Sequence, residues 1–138
     1  MLYTILFYHD EDVVGSWSQK HNETIMNELG LLQDKLTEQG RLGPVAWLLP
    51  TTTAVTLRKG DPPLVLDGPY AETKEQFLAF YIVDCVNLDD ALEVAYQLES
   101  AIPGGAFEVR PVGTFMPGEN LMQVRRAGCT NAAPTWPS

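Results

Sequence analysis

The sequence predicts a single α+β domain built on one antiparallel sheet with two helices on one of its faces, and three observations lead there. Short apolar, β-branched runs are interspersed with two longer stretches of helical periodicity. Each longer stretch starts at a capping residue and stops near glycine or proline. The strand-like runs are apolar at nearly every position instead of alternating with polar residues. A length of 138 residues with 45% hydrophobic content suits one domain with a real core.

Leu2 to Tyr8 is aromatic, β-branched and short, which is the composition of a strand. It is apolar enough to resemble a signal core. No basic residue precedes it, however, and the acidic loop His9-Asp10-Glu11-Asp12 follows at once. Ser16 or Ser18 then caps a helix in which Ile25, Leu29, Leu32 and Leu36 form one apolar stripe, and Gly40 stops it. Gly30 inside that helix costs about 1 kcal/mol relative to alanine, so it is read as a close packing contact.

Val45 to Leu49 and Ala54 to Arg58 are strand-like runs separated by Pro50 and three threonines. Lys59-Gly60-Asp61-Pro62-Pro63 is a turn, across which Leu64-Val65-Leu66 pairs back. Phe77 to Val83 is a strong apolar strand. Asn87 caps a second helix with Asp90 in its first turn and Leu88, Ala91, Leu92, Ala95 and Leu98 on its apolar side. The last strand, Ala106 to Val112, sets Glu108 and Arg110 on one face and Phe107 and Val109 on the other. With the short insertion set aside, the order is β-α-β-β-α-β, the split-βαβ, ferredoxin-like arrangement. Helices on one side leave the other sheet face bare. Since the strands are apolar on both faces, a second copy of the chain is the simplest cover, and a homodimer is expected. From Pro117 the composition turns to Pro, Gly, Asn and Thr with one apolar patch at Leu121, Met122 and Val124, dividing the chain into a domain over 1–116 and a tail or dimer arm over 117–138.

The formal charge of -9, from 18 acidic and 9 basic residues, repels phosphate backbones and anionic lipids, so neither nucleic acid nor a membrane surface is an expected partner. Arg125-Arg126 is too short a basic cluster to overcome that field. No apolar run reaches the roughly 20 residues needed to span a bilayer, and a soluble, cytoplasmic protein is expected. Cys85 and Cys129 are far apart and lack any metal-ligand spacing. They read as reduced thiols, Cys85 as a small core residue.

The densest polar segment is Asp67-Gly68-Pro69-Tyr70-Ala71-Glu72-Thr73-Lys74-Glu75. Asp-Gly-Pro alone makes a turn. Glu72, Lys74 and Glu75 exceed what a turn needs: a lysine flanked by acids can orient a substrate carboxylate, or the three can form a salt-bridge cluster pinning the segment. Arg58 and Arg110 lie on strands, where a buried charge is costly, so each is expected to meet a carboxylate such as Asp67, Glu72 or Glu75, or an anionic ligand held together with Lys74. His9 beside Asp10 at the end of the first strand can serve as a general base near neutral pH, or simply be a solvated loop histidine. His21 borders the helix stripe. Tyr70, Trp47 and Tyr81 suit either a pocket or the core. His9, Asp10 and Asp12 fall short of a metal site, and no metal or cofactor is expected.

The Asp67 to Glu75 segment, the strand Phe77 to Val83 and Glu108-Val109-Arg110-Pro111-Val112 resemble the YCII-related family, and within it the subgroup named for an Asp-Gly-Pro-Phe motif that continues Ala-Glu-Thr-Lys-Glu. Tyr70 in place of Phe is the one exchange in that segment. Leu49-Pro50, Ala54 and Arg58 agree further, and the likeness runs from about Leu2 to Gly113. It implies a dimeric α/β barrel. Members are described as enzymes where a His and an Asp share a cleft, and the wider superfamily holds isomerases, monooxygenases and haem-dependent enzymes. Proteins with this motif are often encoded beside extracytoplasmic-function sigma factors, which implies a regulatory link. Two departures stand out: Ala79 occupies a position usually held by Gly, and the family's helix histidine falls near Asn27 or Glu28, with His21 nearly two turns earlier. Two functional readings follow. The first is a dimeric module binding a small metabolite or acting in regulation, with its cleft near Asp67 to Glu75. The second is a small-substrate enzyme, isomerase-like or cofactor-independent oxygenase-like, using His9, beside Asp10, or Glu72 as base and Lys74 or Arg58 to steady negative charge.

Overall fold

In the computed structural model, which describes residues 1–119, ten segments follow one another. They are β1 (Leu2–Asp10), α1 (Glu11–Ser16), α2 (Gln19–Glu38), β2 (Leu42–Trp47), a 3-10 turn (Thr51–Thr53), β3 (Val55–Arg58), β4 (Leu64–Asp67), β5 (Glu75–Asp84), α3 (Leu88–Ala101) and β6 (Ala106–Pro111). Four strands form one sheet in the order β2-β5-β1-β6, with every neighbouring pair antiparallel. The ferredoxin-like α+β expectation holds. The insertion is a separate two-stranded ribbon of β3 and β4.

β1 sits in the middle, bonded to β5 and β6, and its side chains alternate between buried and half-buried. Tyr3, Ile5, Phe7 and His9 point to the helices, while Leu2, Thr4, Leu6 and Tyr8 point away. A bulge at Phe7/Tyr8 lets both Leu78 and Ala79 of β5 be buried, and the Leu48 amide donates to the Leu78 carbonyl at 2.8 Å. Between sheet and helices lies one core of Ile5, Phe7, Tyr81 and Val83 against Ile25, Leu29 and Leu36 of α2 and Ala91, Val94, Ala95 and Leu98 of α3.

The caps explain where the helices start. The Ser18 hydroxyl accepts from the His21 amide at 3.1 Å, and the Asn87 side chain accepts from the Asp90 amide at 3.0 Å. Gly40, with φ +68°, closes α2 in the left-handed conformation that glycine adopts freely. The acidic loop corrects to a short helix: Asp10 accepts from the Asp12 amide at 2.9 Å, and Glu11 and Asp12 in the first turn suit the helix dipole. Val94, and not Leu92 or Leu88, completes the buried side of α3. Both leucines remain exposed because the sheet contacts the Ala91-Val94-Ala95-Leu98 side. Gly30 also corrects, since a Cβ there would meet nothing within 4 Å. The tail patch at Leu121, Met122 and Val124, Arg125-Arg126 and Cys129 lie outside the described residues.

Two substitutions test this packing. Gly30→Ala should raise unfolding free energy in urea by about 1 kcal/mol, because it removes backbone entropy from the unfolded chain and meets open space. Gly105→Ala should lower it by roughly 2–3 kcal/mol: φ is +83°, and the added Cβ would lie 2.7 Å from Phe7 Cε1 and 2.8 Å from the Tyr8 carbonyl.

Candidate functional site

The pairing of β1 with β5 ends at Asp10 opposite Glu75, so the sheet itself brings Thr73-Lys74 beside the start of α1. There Asp10, Glu11, Asp12, Thr51, Thr73, Lys74 and Gln76 line a polar cavity of about 350 Å³. Its walls are fixed by hydrogen bonds. The Glu11 carboxylate accepts from the Thr51 amide at 2.8 Å and from the Thr51 hydroxyl, tying α1 to the chain leaving β2. The Gln76 side-chain amide donates to the carbonyls of Ala71 at 3.2 Å and Thr73 at 2.8 Å, holding the motif loop to the start of β5.

At its other end the motif is held by backbone geometry. Gly68, with φ +108°, donates its amide to the Ala54 carbonyl at 2.8 Å, and the Thr56 hydroxyl donates to the Gly68 carbonyl at 2.8 Å. Asp67 ends β4 opposite Val55. Pro69 follows, then Tyr70, which is 74% exposed and carries the Arg58 guanidinium 5.0 Å from its ring centroid. Among the described residues, no ion pair joins Asp67, Glu72, Lys74 or Glu75 to one another. All four are exposed. The loop is therefore held by amide and glycine geometry, and the charges remain in solvent.

The two arginines differ from expectation. Both are exposed, so water already solvates them and no carboxylate partner is required. Nor do they join Lys74. Arg110 lies opposite Thr4, six residues along β1 from Asp10, which at 3.3 Å per residue is roughly 20 Å from the Lys74 end of the sheet.

His9 is 6% exposed and does not line the cavity. Its Nδ1 accepts the Asp10 amide at 2.7 Å, which requires the hydrogen on Nε2, and Nε2 donates to the Pro103 carbonyl at 2.8 Å. The ring is edge-on to Phe7 and Trp17, each 5.8 Å away between centroids. Both nitrogens are committed, leaving no lone pair for a general base; His9 braces the end of β1 against the turn between α3 and β6. His21 also packs against Trp17, 5.8 Å between ring centroids, and lines a different cavity, of about 420 Å³, with Glu28, Glu99 and Pro103. Trp47 and Tyr81 belong to the core: the indole Nε1 donates to the Tyr81 hydroxyl at 3.1 Å.

Sequence reading missed Glu11, Thr51 and Gln76, because their roles come from partners distant in the chain. It also missed Arg41, whose Nη2 lies 2.7 Å from Asp90 and 3.7 Å from the Cys85 sulfur, joining the end of α2 to the start of α3. Burial pushes the Cys85 thiol up, the character of a core cysteine. Tyr8 is likewise raised, first by desolvation and then by its hydrogen bond to Glu108. Among the described residues, no three His, Cys, Asp or Glu side chains are arranged to hold a metal, and no helix is long and apolar enough to cross a membrane.

A YCII-related domain model matches residues 1–116. The chain belongs to the YCII-related family. It is also 50% identical over 121 residues to an uncharacterized protein of Rhizobium meliloti (strain 1021), an alignment covering 86% of this chain and 98% of that one.

Tyr81 supplies a pH test. Burial pushes its hydroxyl up to about 12, although hydrogen bonds from Trp47 and Gln33 pull the other way. A phenol raised in the folded state favours folding fully below its unfolded value near pH 10, and that contribution disappears as pH rises through about 12. The stability difference between the native chain and Tyr81→Phe should be constant below about pH 10 and then shrink by about 3 kcal/mol towards pH 12 and above. A difference that stays flat across that window would refute the assignment.

Proposed function

We propose that the chain is a dimeric module that binds a small polar metabolite, acting in the cytoplasm, and that its ligand enters the cavity where Thr73-Lys74 meets Asp10-Glu11-Asp12. The observation that carries this reading is the cavity itself, which combines an ammonium and carboxylates that no ion pair occupies among the described residues. Lys74 would take the anionic or acceptor group of the ligand, and Asp10 and Asp12 its donors. Arg58, Arg110 and the Asp67 to Tyr70 turn lie outside the cavity lining, which supports recognition by the second half of the motif. The sheet's outer face, with Leu2, Leu6, Phe77, Phe80 and Ile82 half-buried, supports dimerisation through that face. A regulatory output, including a sigma-factor link, rests on family resemblance alone.

The same cavity supports a second reading, a small-substrate enzyme with Asp10 as base and Lys74 steadying the developing charge. Glu72 and His9 do not line the cavity, so this reading moves the base to Asp10.

A thermal-shift screen of small hydroxy and amino acids, followed by calorimetry, is the test. Lys74→Ala should weaken any hit at least tenfold, about 1.4 kcal/mol, and leave the ligand-free melting temperature within roughly 2 °C, since Lys74 is exposed and outside any ion pair among the described residues. Unchanged affinity in Lys74→Ala and Asp12→Asn would remove the site from this cavity. Conversion of a bound hit over hours, lost in Asp10→Asn, would select the enzyme reading.

A further inference from the structure

The ribbon of β3 and β4 is the least covered part of the fold. Val55, Leu57 and Val65 share one of its faces and Leu64 and Leu66 the other, and all five are between 41% and 67% exposed. Neither outer edge is paired with another strand of the described chain. A lone two-stranded hairpin is marginal in water, and apolar residues on both faces of a ribbon are reasonable only where both faces meet something.

The geometry points to a second copy of this chain: we propose that the ribbon is a dimer arm packing on the partner subunit beside the outer-sheet interface. This rests on the dimer reading above. Two arguments select that occupant. The first is area. Four strands spaced about 4.8 Å apart and six to ten residues long present a projected face of roughly 500 Å², against the roughly 800 Å² that each partner of a stable complex ordinarily buries. The sheet face alone is therefore small. In a two-fold dimer each ribbon face is buried once on its own subunit's side and again as the surface it covers, so a pair of arms brings the interface near the ordinary size.

The second argument is charge. Two copies at -9 each repel one another, yet the ribbon from Val55 to Asp67 carries two basic residues, Arg58 and Lys59, against two acidic ones, Asp61 and Asp67, and is neutral. It is a segment that a like-charged copy does not repel.

The Ala54 carbonyl and Gly68 amide are already bonded at 2.8 Å, so residues 55–67 can be replaced by two glycines without moving the ends apart. Sedimentation velocity should show the full chain as a dimer and the excised chain with a dissociation constant at least 100-fold weaker, its far-UV circular dichroism otherwise retained. Hydrogen exchange on the unaltered chain gives a second readout: ribbon amides should be protected above the dissociation concentration and exchange freely below it. An excised chain that dimerises with unchanged affinity overturns the arm and leaves the dimer standing. Equal exchange of ribbon amides at both concentrations also overturns it. Should the full chain stay monomeric at hundreds of micromolar, the dimer reading itself fails, and protection seen in that monomer would assign the ribbon to another occupant.

Discussion

Everything else in the molecule depends on β1 lying between β5 and β6 with its alternation intact. Pairing on both edges fixes which of its side chains face the helices, because a slip of one residue would exchange Ile5 and Phe7 for Leu6 and Tyr8. The bulge at Phe7/Tyr8 is compatible with this constraint, since it shifts the last residues of the strand by one position and so sets Asp10 opposite Glu75. The cavity follows from that register. No residue of the cavity lining belongs to the buried apolar core, yet the core decides where they meet.

The end of β1 is held by a different kind of interaction. A histidine with both ring nitrogens bonded, packed between two aromatic rings, orients the strand end rigidly. Gly104 and Gly105 serve the same junction, because a side chain at either would approach the imidazole to about 3.1 Å. His9 and Asp10 are adjacent, but their division of labour is sharp: one is structural and inward, the other caps α1 and faces the cavity. Residues of catalytic type are often used this way, with polarity spent on fixing a backbone.

Local signals were legible and long-range ones were not. Ser18 and Asn87 announced their helices because a cap is a contact three residues long. The stripe Ile25, Leu29 and Leu36 was legible for the same reason, as was the ribbon turn around Pro62-Pro63. His9 bonds a carbonyl 94 positions away and Glu11 a threonine 40 away, and no pattern in either neighbourhood announces the partner. Leu92 misled because hydrophobicity alone ranks leucine above valine, whereas the direction of the sheet selects Val94. Arg58 and Arg110 misled because a strand was equated with burial, although one strand belongs to a free-standing ribbon and the other is a sheet edge. Which half of the motif meets a cavity is a matter of register, which no local pattern announces.

The ribbon also bears on how the protein is handled. Two edges left unpaired among the described residues, and apolar side chains on both faces, are the features by which strands add to one another without limit. Its tip answers with Lys59, Asp61 and the Pro62-Pro63 pair, which supply charge and remove amide donors where a foreign strand would begin to pair. Charge and proline at that tip oppose edge-to-edge pairing of the exposed ribbon. Replacing them for convenience of cloning or labelling would trade away solubility while leaving the folded domain intact.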